Sequence, residues 1–201
     1  MRSFDDGRRL AKVSAIAIAA FTVPASANAD NPACAAITAA QLEIMAVDCN
    51  QSGVWSQLQA SGQFPDVFAG SGKKTNLCYV ATGPAPATIG GDPVTIASSI
   101  SGWTTDFTPG LFGGPDNLGT VVTQLTISGL NGQASANLFT RDTIDLSQIF
   151  TTGTASEEDV IVGGSGPLEN AKGTYRVASV PEDPFASKVL LTNLAGVLCT
   201  H

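Results

Sequence analysis

The chain has 201 residues and a formal net charge of −7 at pH 7, with 17 Asp and Glu against 10 Lys and Arg. A surface of that sign repels phosphate backbones and anionic lipids, which argues against nucleic acid or a membrane surface as a partner. Only 13% of the residues are charged and 21 are glycine, and Thr, Ser and Val are abundant. This composition indicates a single β-rich domain with many turns.

The first 29 residues have the pattern of a signal peptide. A basic start is followed by an apolar stretch over residues 13–23 and by Ala27-Asn28-Ala29, an A-x-A cleavage pattern. We therefore expect a mature chain that begins at Asp30 and is secreted or periplasmic. No later segment approaches the ~20 apolar residues of a spanning helix, so no membrane span is predicted.

Residues 30–72 are predicted to form an extension made of a short helix and a loop. Asn31 can cap a helix that has Pro32 in its first turn, and apolar residues follow at helical spacing: Ile37, Ala40, Ile44 and Val47. A further turn of helix is predicted around residues 54–60.

From residue 73 to residue 201 the pattern changes to short strands separated by Gly- and Pro-rich turns. Strands are predicted at 76–82, 93–101, 103–107, 119–128, 133–141, 144–151, 159–162, 173–180 and 187–200. No helix long enough for a βαβ crossover separates them, which predicts an antiparallel sheet. Eight or nine consecutive strands must protect their exposed edges, so a barrel is the preferred architecture and a sandwich is the alternative. The last strand is apolar on both faces, which suggests cover by a neighbouring subunit in a dimer or trimer.

Four cysteines, Cys34, Cys49, Cys78 and Cys199, lie after the signal peptide. An even number in an exported chain indicates two disulfides, and four cysteines allow three connectivities. We favour Cys34–Cys49 together with Cys78–Cys199. A metal site is disfavoured, because there is no C-x-x-C spacing and no histidine nearby.

The run from Val160 to Val177 predicts a strand, a tight turn at Gly163-Gly164-Ser165-Gly166, and a second strand that begins near Gly173. With Leu168 and Ala171-Lys172-Gly173, it resembles the signature hairpin of dirigent proteins and allene oxide cyclases. The resemblance implies an eight-stranded antiparallel barrel, often trimeric, whose apolar cavity holds a small molecule while it cyclises or couples.

The departures from that family limit what can be transferred. The stretch Gly129–Ala136 lacks the arginine of the dirigent motif, and the acidic residues on earlier strands have no counterpart. Three functions therefore stay open. The first is a barrel that binds a small apolar or aromatic molecule and directs its cyclisation, isomerisation or stereoselective coupling. The others are a lipocalin-like binding protein without chemistry and a structural exoprotein.

The candidate catalytic residues are few. The only histidine, His201, is the last residue, so a Ser-His-Asp or Cys-His mechanism lacks its base. Arg141 beside Asp142 or Asp145 could orient a substrate hydroxyl, although a surface ion pair is the more common meaning of such a cluster. Tyr175 could hydrogen-bond a ligand if it points inward; the alternative is a core tyrosine.

Aromatic side chains are the natural lining of a cavity or a core, and we select Trp103, Phe107 and Phe139 as candidate ligand-binding residues. The acidic run Glu157-Glu158-Asp159, with Asp142 or Asp145, could gather around a Ca²⁺ ion. A solvated acidic turn is preferred because the spacing of a calcium loop is missing. No metal and no cofactor is therefore predicted.

Overall fold

The computed structural model describes residues 33–68, 75–105, 118–132, 135–145, 154–181 and 188–200. In these ranges the chain forms a helix α1 (Val54–Ala60), a single helical turn (Pro65–Phe68) and nine strands. The strands are β1 (Ala33–Val47), β2 (Thr75–Ala81), β3 (Ala85–Ile89), β4 (Asp92–Thr105), β5 (Leu118–Ser128), β6 (Ala136–Asp145), β7 (Ala155–Gly164), β8 (Lys172–Pro181) and β9 (Lys188–Thr200). The predicted signal peptide lies outside the described residues.

The strands form one antiparallel sheet that closes on itself. Strands β2 and β3 share one position, because both lie between β1 and β4 and only residues 82–84 separate them. The remaining strands follow in chain order, and β9 pairs with β1 from Thr200 opposite Ala33 to Lys188 opposite Met45. The prediction of an eight-stranded antiparallel barrel is confirmed, and the sandwich alternative is wrong.

Alternate residues of each strand point into the barrel. Over most of its length the interior is apolar, and its buried core includes Ile37, Leu42, Ile96, Ile127, Leu138 and Leu168. Removing these side chains from water is the main driving force for closing the sheet, because hydrophobic burial is the largest favourable contribution to folding.

The helix predicted after Pro32 is wrong, because this segment is strand β1. Its buried residues are Ile37, Ala39, Leu42 and Ile44, so the inward phase shifts by one residue between Ala39 and Leu42. The shift leaves Ile37 and Ile44 seven residues apart on one face, a spacing that two helical turns also give. Pairing with β9 overrides the helix propensity of this Ala-rich segment. The barrel therefore begins at Ala33 and not near residue 73, and α1 is the short helix of the N-terminal region.

Both disulfides are formed, but the connectivity that we favoured is wrong. Cys34 on β1 is bonded to Cys199 on β9, and Cys49 is bonded to Cys78 on β2. The favoured Cys34–Cys49 bond required a helix between the two residues. In an extended strand of this length they lie tens of ångströms apart, well beyond the ~7 Å limit between the Cα atoms of a disulfide.

A second apolar cluster lies on the outside of the barrel, under α1. Val54 and Leu58 of α1 pack with Phe64 against Val122 and Phe139, and the Cys49–Cys78 disulfide belongs to the same cluster. The ring of Trp55 lies over Gly102, where a Cβ atom would come within 2.6 Å of the ring. Only glycine at position 102 allows α1 to approach this closely.

The glycine run forms the predicted turn between β7 and β8. The backbone N–H of Ser165 donates to the carbonyl of Asn137 at 2.9 Å, and the Ser165 Oγ accepts from the Asn137 N–H at 3.0 Å. A Cβ atom at Gly164 would clash with the carbonyl oxygen of Leu168 at 2.2 Å. The run is therefore a structural turn that ties the β7–β8 connection to β6.

Candidate functional site

Strands β6 and β7 are paired over only part of their length. Their ladder ends where Arg141 of β6 lies opposite Val160 of β7. Beyond this point β6 stays paired with β5 as far as Asp145, and β7 stays paired with β8 back to Ala155. Within the described residues the barrel wall therefore has a split, formed by residues 142–145 of β6 and 155–159 of β7.

An irregularity of β7 lies next to the split. Phe139 pairs with Gly163, whereas the next residue, Thr140, pairs with Ile161, so that Val162 is one residue too many on β7. Such a bulge bends its strand and increases the local twist. The bulge thus accounts for the divergence of β7 from β6 beyond Arg141.

Three carboxyl groups lie at the split and point into the barrel. Asp142 comes from β6, and Glu157 and Asp159 come from β7. One oxygen atom of each lies within 4.8 Å of the others. Asp142 and Asp159 are each 5% exposed and Glu157 is 9% exposed. Because alternate residues of a strand face the same side, Glu157 and Asp159 both point inward while Glu158 points to solvent.

Hydroxyl groups of the neighbouring strands surround these carboxyls. The Thr140 Oγ1 donates to Asp159 Oδ1 at 2.9 Å, and the same hydroxyl lies 3.3 Å from the Tyr175 hydroxyl. The Ser179 Oγ donates to Glu157 Oε1 at 2.7 Å. One carboxyl oxygen of Asp142 lies within 4.8 Å of one of Glu157. Two carboxylates this close repel each other, so the charge of Asp142 favours the protonated form of Glu157.

Burial makes these groups weak acids. It raises the pKa of Glu157 from 4.5 to about 8, and the neighbouring charge of Asp159 adds to the effect. Burial likewise raises the pKa of Asp159 from 3.8 to about 7, with the charge of Asp142 as the second cause. It also raises the pKa of Tyr175 well above 10. At neutral pH the cluster therefore contains both a proton donor and a proton acceptor.

Two cavities meet at this cluster. The larger, an open groove of about 890 Å³, is lined by Asp142, Glu157, Val160, Val162 and the two arginines Arg141 and Arg176, and also by Ser156 and Glu158. The smaller lies inside the barrel, has a volume of about 30 Å³ and is also lined by Glu157, as well as by Asp159 and Tyr175. Glu157 thus stands between the outer groove and the barrel interior.

The interior cavity has a polar and an aromatic wall besides the carboxyls. Ser101 and Thr123 share a hydrogen bond of 2.9 Å. The ring centroids of Tyr79 and Trp103 lie 5.0 Å apart. Trp103 lines the cavity together with Glu157, which places an aromatic surface opposite an acid.

The structure places the predicted catalytic residues in different positions. Asp142 and Tyr175 point inward and belong to the cluster, whereas Arg141 is half-buried on the outer face and lines the groove. The backbone of Asp145 pairs with Leu118, and its side chain lies outside the described part of the chain. Asp142 is therefore a buried group and not a surface group.

Of the predicted ligand-binding residues, Trp103 lines the interior cavity. Phe139 does not, because it lies on the outer face of β6 and packs edge-on against Phe64 with ring centroids 6.2 Å apart. The alternation that sends Leu138 and Thr140 inward sends Phe139 outward. Phe107 lies outside the described residues.

Glu157, Asp159 and Thr140 were missed as site residues. The run Glu157–Asp159 was expected to be a solvated turn, but it is part of β7 and only Glu158 is exposed. The available signal was period-two alternation: Glu157 and Asp159 share the face of Ile161, which is buried. Extending the strand backward from Ile161 would have placed both acids inside.

The three carboxyls are also the group in the described chain that could hold a metal ion, with one oxygen from each. Carboxylate oxygens are ligands of hard cations such as Ca²⁺ and Mg²⁺. Three protein oxygens fall short of the six to eight that Ca²⁺ takes, so water or substrate would complete the shell.

Two disulfides are typical of proteins in oxidising compartments. Among the residues that the structure describes, there is no helix of the length and apolarity needed to span a bilayer. In comparisons with known proteins, no family model, no curated protein and no solved structure matches this chain.

Proposed function

We propose that this protein is an exported barrel, similar to dirigent proteins and allene oxide cyclases, that binds a small and largely apolar or aromatic molecule. Its ligand would sit at the split, and the carboxyl cluster would direct cyclisation, isomerisation or stereoselective coupling. The observation that carries the proposal is the position of Glu157, which lines both the groove and the barrel interior. The closed barrel and the glycine turn support the family likeness.

The groove has the size and the chemistry of a ligand site. Its volume of about 890 Å³ lies within the ~300–1,000 Å³ range of small-molecule pockets. Val160 and Val162 are 48% and 39% exposed and offer an apolar surface beside the carboxyls. Arg141 and Arg176 add positive charge at its edge. A molecule with an apolar body and a polar or anionic end matches this lining.

Acid–base chemistry follows from the protonation states. At pH 7 Glu157 is mainly protonated and can donate a proton, while Asp159 is close to half ionised and can accept one. Glu157 lines the groove and can exchange its proton with a ligand there, whereas Asp159 lines the interior cavity and acts on the ligand through Glu157. An isomerisation or cyclisation of this kind needs no metal and no covalent nucleophile.

A homo-oligomer, a dimer or a trimer, is part of the proposal. Outside the groove, Val180 and Val197 are large apolar side chains that are exposed on the outer face of the neighbouring strands β8 and β9. A second subunit over this face would shield them from water.

One observation favours a structural exoprotein instead. The interior cavity of about 30 Å³ has room for about one water molecule, so the closed barrel is nearly filled by its own side chains. A protein that only presents surfaces for assembly would need no more.

The two functions differ in how the groove responds to a ligand. The test is a titration of ¹⁵N-labelled protein with 1-anilinonaphthalene-8-sulfonate, an aromatic probe with an anionic end, followed by NMR. We expect saturable shifts centred on Glu157, Val160 and Val162. Absence of saturable shifts, or shifts spread over the whole surface, would leave the structural role.

A matched pair of variants localises the binding. Val160→Asp places a charge in the groove, whereas Val197→Asp changes a valine of equal exposure, 49% against 48%, that does not line it. We expect Val160→Asp to weaken probe binding by about tenfold or more, because it replaces an apolar contact by a like charge to the probe. Equal effects of the two variants would show that the probe binds elsewhere.

A further inference from the structure

The two disulfides of the protein differ in their access to solvent. Cys49 and Cys78 are 8% and 0% exposed and belong to the apolar cluster under α1. Cys34 is exposed and Cys199 is half-buried. Because Leu198 points into the barrel, the alternation of β9 places Cys199 and its partner on the outer face. A reagent can therefore reach the Cys34–Cys199 bond in the folded protein, whereas it reaches Cys49–Cys78 only when the cluster under α1 opens.

A cavity lies beside Cys34 at one end of the barrel. It has a volume of about 230 Å³ and is lined by Cys34 and by residues of the adjoining turns, among them Gly90 and Pro167. This space admits a small thiol next to the disulfide. Asp92 also lines the cavity, so an uncharged thiol suits it better than an anionic one.

Lys172 lies next to the same disulfide. It is directly opposite Cys199 in the β8–β9 ladder, and Cys34 is directly opposite Cys199 in the β1–β9 ladder. Residues opposite each other in antiparallel strands share a face, with Cβ atoms about 4.5–5.5 Å apart. Cys34, Cys199 and the exposed Lys172 therefore form a row across three strands on the outer face. A positive charge beside a sulfur stabilises its thiolate, and the more stable thiolate is the better leaving group.

We propose that the Cys34–Cys199 disulfide is a thiol-exchange site, which an uncharged dithiol cleaves in the folded protein while the Cys49–Cys78 bond stays intact. Exposed disulfides are the ones that thiols reduce most readily. Cleavage changes how the barrel is closed, because the β1–β9 seam loses its covalent bond and is then held by its ladder. The redox state of this one bond thus sets the strength of the seam.

The thiol-exchange site is separate from the carboxyl cluster. Ser179, which donates to Glu157, and Lys172, which lies opposite Cys199, are near opposite ends of β8. The inference therefore does not rest on the proposed function, and either of the two can fail without the other.

The exchange proceeds in two steps that balance electrons and protons. One thiolate of the dithiol attacks the Cys34 Sγ, the S–S bond breaks, and its electron pair goes to the Cys199 Sγ beside Lys172. The second thiol of the reagent then displaces the Cys34 Sγ from the mixed disulfide, so that the reagent closes to a cyclic disulfide. The dithiol gives up two electrons and two protons, and Cys34 and Cys199 take them up as two thiols.

The experiment follows the reduction of each bond in the oxidised protein. Dithiothreitol is added under native conditions, free thiols are blocked with N-ethylmaleimide at successive times, and peptide mass spectrometry identifies the labelled cysteines. We expect Cys34 and Cys199 to be labelled at least about tenfold faster than Cys49 and Cys78. Near-ultraviolet circular dichroism should show that the protein with only Cys34–Cys199 reduced stays folded.

The same reaction in denaturing guanidinium chloride is the control for the intrinsic reactivity of the two bonds. Both are open to solvent in the unfolded chain, so their rates should agree within about threefold. A tenfold difference that persists in the unfolded chain would overturn the inference, because it would not arise from the fold.

Lys172→Gln tests the charge beside the leaving sulfur. We expect reduction of Cys34–Cys199 to slow by about threefold or more, and Lys172→Arg to keep the rate of the wild type. Lys188→Gln is the matched control, because Lys188 lies at the far end of the same seam, opposite Met45. Its rate should equal that of the wild type.

Equal labelling rates of all four cysteines in the native protein, or earlier labelling of Cys49 and Cys78, would overturn the inference. Either result would show that reduction requires the protein to unfold. An unchanged rate in Lys172→Gln, or equal slowing in Lys172→Gln and Lys188→Gln, would overturn the role of Lys172.

Discussion

Two seams of the barrel are built in opposite ways. The β1–β9 seam joins the two ends of the described chain along almost the full length of both strands and is crossed by the Cys34–Cys199 disulfide. The β6–β7 seam joins strands that are neighbours in sequence, yet its ladder stops at Arg141 and its far end is a split with carboxyl groups. The stronger seam is thus the one that has the largest loop to close.

The difference follows from the entropy of closure. Bringing together residues 165 positions apart costs more conformational entropy than closing a short connection. A long ladder and a covalent bond offset that cost at β1–β9. Strands that are neighbours in sequence lose less conformational entropy when they pair. Strands β6 and β7 can therefore leave part of their length unpaired without opening the barrel. The carboxyl cluster lies at the seam that can be left incomplete.

The largest effect of a change in the sequence should come from cutting the stronger seam. Cys34→Ser together with Cys199→Ser removes a crosslink with a sequence separation of 165 residues. Loop entropy predicts a loss of about 5 kcal/mol in the free energy of unfolding. Denaturant unfolding of the oxidised wild type and the double variant measures it. A loss below about 1 kcal/mol would mean that the ladder alone holds the seam.

The second prediction concerns the carboxyl groups at the β6–β7 seam, which should make the free energy of unfolding depend on pH. Glu157 and Asp159 have pKa values raised in the folded state to about 8 and about 7. The folded protein therefore binds more protons than the unfolded chain between about pH 4 and pH 8. The free energy of unfolding should fall as the pH rises through this window, by about 4 kcal/mol for each of the two groups, and level off above it.

Glu157→Gln should remove about half of this decline, because the amide does not ionise while Asp159 still does. Glu158→Gln is the matched control: its side chain is exposed and paired with Arg176, so the decline should persist. Thermal or denaturant unfolding at half-unit pH steps provides the measurement. Stability that rises with pH over this window in the wild type would contradict the protonated state of the cluster.

Much of the barrel could be predicted from the sequence, because turns and alternation are local signals. The turn after Gly163 and strands such as β5 and β8 lie close to where glycine spacing and period two place them. Strand β1 could not be recognised, because its inward phase shifts within the strand and its partner β9 lies at the other end of the chain. The disulfide connectivity failed for the same reason, since it depends on which strands pair across the chain.

The site could be predicted only in part. Asp142 and Tyr175 were selected for their residue type, and both lie in the cluster. Glu157 and Asp159 were read as surface residues because acids are rarely buried without a partner. Their burial depends on the meeting of β6, β7 and β8 at the split, a tertiary arrangement that has no local sequence pattern. Hydrogen bonds donated by Thr140 to Asp159 and by Ser179 to Glu157 then offset the cost of burying the two carboxyl groups.

The smallest of the three effects is expected from the loss of a single hydrogen bond, the one that the Thr140 hydroxyl donates to Asp159. Thr140→Val removes the donor to Asp159 at a position with 0% exposure, and valine keeps the shape of the side chain. A buried carboxylate that loses a donor should cost about 2 kcal/mol at pH 8. The loss should be smaller at pH 5, where the carboxyl is protonated. Unfolding at both pH values measures it.

Thr38→Val is the control, at the pairing of β1 with β3. Thr38 shares a 2.8 Å hydrogen bond with Thr88 of β3 on the exposed face of the barrel. Water can replace that bond, so the expected loss is within about 0.5 kcal/mol and independent of pH. Equal losses in the two variants would show that Asp159 is solvated. A Thr140→Val loss that grows with pH would instead show that a buried negative charge at the split depends on this hydroxyl.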